Sequence, residues 1–127
     1  MAKVSGLTTA VTVASNVISN DITSITLDTP YGTQEITGLD KSAVERLVLR
    51  ADATGTMNGV FNSASSMSHA TLKTPGSKSV VIAFAAAAAT ATFTAIFTNY
   101  ALSMGADGSL TWSVNFQLSS GTAVAWT

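Results

Sequence analysis

The chain contains no cysteine, which removes zinc ribbons, iron–sulfur sites, redox dithiols and disulfide scaffolds at once. Histidine occurs once, so any imidazole base, proton shuttle or metal ligand would have to be His69. Charge is scarce: Asp, Glu, Lys and Arg make up 10% of the residues, against about 25% in an ordinary soluble domain. Six basic against seven acidic residues give a formal net charge of −1, which argues against an electrostatic grip on nucleic acid or on an anionic membrane. A surface this poor in charge is kept wet by Ser, Thr and Asn, or is covered by neighbouring molecules.

Assembled chemistry is also missing. Ser65, Ser66 and Ser68 flank His69, but no Gly-x-Ser-x-Gly elbow accompanies them, and His69 reads as a polar-loop or subunit-contact residue. Asp21, Asp28, Glu35, Asp40, Asp52 and Asp107 are scattered singly, without calcium-loop or His-pair spacing. Gly105-Ala106-Asp107-Gly108 lies between two strand patterns, so it is a turn and not a phosphate cradle. Arg46 and Arg50 are the only arginines and lack the interleaved aromatics of a nucleic-acid surface. Trp112 and Trp126 read as core or interface anchors. No enzymatic activity, cofactor or metal is expected.

Residues 79–106 carry no charge, a length that could cross a bilayer. Thr90, Thr92, Thr94 and Thr98 interrupt it at the two-residue period of a strand, and a run of alanines at 85–89 contributes little transfer free energy. The hydroxyls that follow Lys3 make a poor secretory segment. The default is a cytosolic, unprocessed chain.

What is present is β periodicity. At 127 residues the chain fits one domain that buries roughly two thirds of its unfolded surface. Short strands are expected around Val11 and Val13 and from Ile22 to Leu27. A turn at 28–32 and a further extended piece at 33–37 follow. Asp40 as a cap, with Ser42 and Glu45 at capping-box spacing, predicts a short helix over about 40–46. Sustained alternation over 47–61 predicts one long strand. It puts Leu47, Leu49, Ala51, Ala53, Gly55, Met57, Gly59 and Phe61 on one face, and Val48, Arg50, Asp52, Thr54, Thr56, Asn58 and Val60 on the other. Such length suggests a sheet shared with another chain. A polar connection over 62–78 contains a short helical piece near 67–72. Strands are expected at 79–85, 91–104, 110–118 and 124–126, with the alanine run as the rim of a hairpin. Asp107-Gly108 signals a two-residue type I′ turn, beyond which Trp112 packs into the apolar face. Phe93, Ala95, Phe97 and Asn99 alternate with Thr94, Ile96, Thr98 and Tyr100.

Two stretches carry a resemblance. ITGLDKSAVERLVLRADATGTMNGVFN (36–62), followed by Ser68-His69, resembles the middle of the small tail tube proteins of long-tailed phages, particularly those of actinobacterial hosts. YALSMGADGSLTWSV (100–114), ending near Gly121-Thr122 and Trp126, is similar to their C-terminal hairpin. The N-terminal third matches only in style, and alanines stand at 85–89 where the family often has a glycine-containing loop.

The resemblance implies a mainly β fold: an antiparallel sandwich or barrel with one short helix, as a single tail-tube-like domain over 1–127. It implies a non-enzymatic virion protein of the tail, made in the host cytoplasm, whose hexameric rings stack into a conduit for DNA. Its partners would be further copies of itself, other tail proteins such as the tape measure and tail terminator, and DNA in transient, non-specific passage, with no membrane. Arg50, Asp52, Thr54, Thr56 and Asn58 are then the candidate lumen face, with plain solvation as the competing reading. Alternatives are a capsid decoration or tail-completion protein binding a pre-existing lattice, and a host-surface adhesin domain.

Overall fold

A computed structural model describes residues 5–127. The chain runs β1 (Ala10–Val13), β2 (Asn16–Val17), a 3-10 turn (Ser19–Asp21), β3 (Ile22–Asp28), β4 (Tyr31–Glu35), β5 (Arg46–Ala51) and β6 (Thr54–Val60). It continues through α1 (Ser68–Leu72), β7 (Gly76–Phe84), β8 (Ala89–Met104), β9 (Leu110–Leu118) and β10 (Ala125–Trp126). Eight strands form one sheet in the order β2-β1-β7-β8-β9-β6-β3, with β10 beside β8, while β4 and β5 make a separate two-stranded ribbon. The fold class is therefore the expected mainly antiparallel β, as a sheet curled into a half-barrel.

Alternation drives this arrangement, because every second side chain of a strand points to the same face. Val11, Val13, Val80, Ile82, Phe93, Phe97, Trp112, Val114 and Phe116 fall on the inward positions and are buried, with Leu72 of α1 among them. Each such side chain contributes roughly 1.5–3 kcal/mol when fully withdrawn from water. β6 and β9 interlock by size: Gly55 stands opposite Phe116, Met57 opposite Val114 and Gly59 opposite Trp112. The rings cover the glycines, and the Trp112 indole N–H donates to the Val60 carbonyl at 2.9 Å.

Four local expectations are corrected. The helix lies at Ser68–Leu72 and not at 40–46. Over 37–45 the backbone closes the ribbon instead: the Glu45 N–H donates to Thr37 Oγ1 at 2.7 Å and the Ile36 N–H to the Glu45 carbonyl at 2.9 Å. An isolated helical turn with no core to pack on does not compete with that closure.

The single strand over 47–61 is two strands, β5 and β6, in different sheets. They part at Asp52-Ala53, where the Asp52 N–H donates to the Pro30 carbonyl at 2.9 Å and Ala53 is fully buried.

The turn at Asp107-Gly108 is not type I′, since Asp107 is not among the residues of positive φ while Gly108 has φ +89°. The Gly108 N–H donates to the Gly105 carbonyl and the Gly105 N–H to the Ser109 carbonyl, the pattern of a three-residue loop whose glycine forms the bulge. The Ser109 N–H and hydroxyl both donate to the Asp107 carboxylate and hold its pKa below the usual carboxylate value.

Finally, a bulge between Thr98 and Ala101, with Asn99 at φ +56°, interrupts the alternation in β8. It turns Tyr100 toward Trp112, ring centroids 6.2 Å apart.

The alanine run closes the β7–β8 hairpin. Ala85, Ala86 and Ala87 all have positive φ, at +53°, +58° and +68°, a region that costs an L-residue roughly 1–2 kcal/mol. The loop is held by the Ala86 N–H donating to the Thr8 carbonyl and the Ala85 N–H to Thr9 Oγ1, each at 3.2 Å. Ala87 is exposed, so Ala87→Gly removes strain without removing packing. A gain of about 1 kcal/mol, or a melting temperature higher by a few degrees, is expected in thermal unfolding. An unchanged or lower melting temperature would mean that the loop is not left-handed there.

No helix among the described residues is long and apolar enough to cross a membrane. The uncharged stretch 79–106 falls almost wholly in β7, the alanine loop and β8.

Candidate functional face

The inward residues of β6 fix where its other side chains go. With Met57 and Gly59 in the core, Thr54, Thr56 and Asn58 stand on the opposite face of the large sheet. Register then assembles that face from four strands. Ser24 pairs with Asn58 and Asn58 with Ser113; Thr26 with Thr56, Thr56 with Asn115, and Asn115 with Thr98; Asp28 with Thr54, and Thr54 with Gln117. Residues directly opposite in an antiparallel pair share a face, so these rungs form a band of hydroxyls and amides across β3, β6 and β9 that meets Thr98 on β8, where Ile96 beside Gln117 and Ala101 beside Ser113 are its apolar members.

The band is internally bonded. Thr56 Oγ1 donates to Asn115 Oδ1 at 3.1 Å, and Asn58 Nδ2 donates to Ser24 Oγ at 3.1 Å. Further along, Ser77 and Ser119 share a hydrogen bond of 3.0 Å. Asp28, at one corner, is the only ionisable side chain on these rungs. The surface is therefore wet and nearly uncharged, able to hold a water layer while offering a phosphate backbone nothing to grip.

The five residues proposed from sequence separate. Thr54, Thr56 and Asn58 lie together on this band. Arg50 lies on β5 in the ribbon, and Asp52 in the junction, where its carboxylate accepts the Ala53 N–H at 2.8 Å. Thr98, from the alternating stretch 93–100, belongs to the same face. The contributions of β3 and β9 were missed because only register reveals them; the signal lay in the polar alternation Thr111, Ser113, Asn115, Gln117.

His69 sits elsewhere. Its Nδ1 is 3.1 Å from the Tyr100 hydroxyl, and its ring packs 5.0 Å from Phe61. Burial pushes the Tyr100 phenol up. Asp21 is buried, accepting Asn62 Nδ2 and the Ser68 N–H, each at 3.0 Å. It thereby fastens the start of α1, whose Met67 offers no side-chain cap. Both groups tie elements together and neither faces a cleft with a second reactive group. Among the described residues no three His, Asp or Glu side chains gather in the manner of a metal site.

No protein-family model and no curated protein matches the sequence. Among solved structures, the fold is similar to a chain from the tail of an empty gene transfer agent (GTA) particle of C6 symmetry. The TM-score is 0.67 and the identity 13%, over 84% of this chain and 82% of that one. It is also similar to a chain from the virion of a native GTA particle, with TM-score 0.74 and 11% identity over 98% and 99% of the two chains. At these identities the likeness is one of fold.

Proposed function

We propose that the chain is the repeating subunit of a viral tail tube, six copies closing into a ring and rings stacking into a conduit for DNA. The observation that carries this reading is the fold shared over 84% of the chain with a chain of a C6-symmetric tail and over 98% with a chain of a virion. Two features of the chain support it. Among the described residues β3 ends the sheet with no neighbour on its outer side, and it carries no proline or lysine to discourage pairing. Joined to the opposite edge of another copy, it would continue the sheet from subunit to subunit until the ring closes. The hydroxyl and amide band beside that edge would then line the channel, where DNA slides instead of sticking. Tape measure and terminator proteins would be the partners within the tail.

Negative-stain electron microscopy of the purified protein at high concentration tests the reading, with sixfold rings or tubes as the expected result. A monodisperse monomer at every concentration would overturn it, as would a trimer that binds only to added capsids, which is the behaviour of a decoration protein.

A further inference from the structure

Asn or Asp precedes glycine at two places in the chain, Asn58-Gly59 and Asp107-Gly108. In such a pair the glycine nitrogen can attack the side-chain carbon of the residue before it and close a five-membered succinimide ring, because glycine has no Cβ to stand in the way. In an unfolded chain the Asn pair reacts first, since ammonia leaves more readily than the oxygen of a carboxylate. The fold reverses that order. Asn58 lies inside a three-stranded ladder, opposite Ser24 of β3 and Ser113 of β9, and Gly59 lies opposite Ile22 and Trp112. Ring closure swings the peptide that joins the two residues. At Gly59 that swing meets the Asp21 carbonyl and the Trp112 indole, which leave no room even for a Cβ. β6 would first have to leave the sheet, an opening drawn from the most protected part of the molecule.

At Asp107-Gly108 these restraints are gone. Residues 105–109 are all exposed, nothing lies within 4 Å of the place a Gly108 Cβ would take, and the Gly108 N–H has to give up its bond to the Gly105 carbonyl, at 3.0 Å. The Ser109 N–H and hydroxyl both donate to Asp107 Oδ1, at 3.1 and 2.9 Å. They draw electrons from Cγ and leave Oδ2 as the oxygen that departs. We propose that Asp107 is a site of spontaneous conversion to isoaspartate and that the fold exempts Asn58. The Gly108 nitrogen bonds to Asp107 Cγ, and Oδ2 leaves as water with the amide proton and one proton from solvent. A second water adds to the Asp107 main-chain carbonyl carbon, whose bond to the Gly108 nitrogen breaks. The chain then continues through Cβ and Cγ, and the former main-chain carbonyl becomes the free carboxylate. Mass and charge end unchanged, but the backbone of the hairpin tip is one methylene longer. Deamidation of Asn58 would instead add a carboxylate to the hydroxyl and amide band, so its exemption keeps that face as uncharged as the sequence makes it.

The test ages the purified full chain in neutral buffer, folded and in denaturant, and maps its peptides by mass spectrometry with electron-transfer fragmentation, which separates isoaspartate from aspartate at equal mass. In the folded protein isoaspartate should accumulate at 107 at least about tenfold faster than Asn58 is deamidated. In denaturant Asn58 should convert first. Asp107→Glu, whose ring would need six members, should fold as the parent does and show no conversion at 107. The inference is overturned if position 107 of the folded chain stays aspartate after Asn58 of the denatured chain has reacted. It is equally overturned if Asn58 reacts as fast in the folded chain as in the denatured one. Neither result bears on the tube reading, which this chemistry does not require.

Discussion

Gly59→Ala should lower the stability of the folded chain by about 3 kcal/mol or more, beyond the ordinary cost of an extra methyl group in a packed core. A Cβ at this position would meet the Asp21 carbonyl oxygen and lie 2.7 Å from Trp112 Cζ2. Neither obstacle can step aside. Asp21 is fixed by the two hydrogen bonds its buried carboxylate accepts, and Trp112 by the bond its indole donates to Val60. Domains of this size have about 5–15 kcal/mol in all, so the variant should unfold at clearly lower denaturant. Gly32→Ala is the internal control, because its nearest neighbour would be Leu49 Cβ at an ordinary 3.5 Å, and its midpoint should hardly move. Equal midpoints for both variants would refute the close approach of β3 and the indole to β6.

In the proposed tube, Thr56→Lys is expected to convert an indifferent channel into a retentive one. Thr56 sits in the middle of the rung that runs from Thr26 to Thr98, and a lysine there can reach outward without disturbing the core behind Met57. If the band lines the tube, every ring gains a circle of cations and the stacked rings repeat it along the DNA path. Counterion release then favours tight binding, with an affinity that falls steeply as salt is raised. Tubes of the variant should form normally, retain double-stranded DNA at low salt and release it at high salt, and virions carrying them should eject slowly. Variant tubes that ignore DNA and deliver it at the parental rate would assign the band to the outside.

How much of this was legible in the sequence depended on how locally each feature is determined. β9, and β8 as far as Thr98, could be read because alternation persists along them, and Phe93, Ala95, Phe97, Trp112, Val114 and Phe116 are all buried as that pattern requires. The break between β5 and β6 was invisible because parity is preserved across Asp52-Ala53; it is marked by the bond from the Asp52 N–H to the carbonyl of Pro30, in the β3–β4 connection 22 residues upstream. For the same reason Leu47 and Leu49 read as sharing a face with Met57 and Gly59, whereas they belong to the exposed β4–β5 ribbon. The capping-box spacing at Ser42 and Glu45 was real, but Thr37 competes for the same backbone. Three of the ten residues on those rungs, Thr54, Thr56 and Asn58, followed from one strand. The rest needed the register that places Asn115 between Thr56 and Thr98, and a bulge at Asn99 lies within that pairing.

The central claim is that this chain builds a tube with the uncharged band inside, and a cryo-electron microscopy reconstruction of polymers grown from the purified protein tests it most directly. Sixfold rings are expected, with Thr56 and Asn115 facing the axis and β3 of one subunit paired to the sheet of the next. An ordered polymer with those two residues on its outer surface, or subunits that touch without joining their sheets, would contradict it.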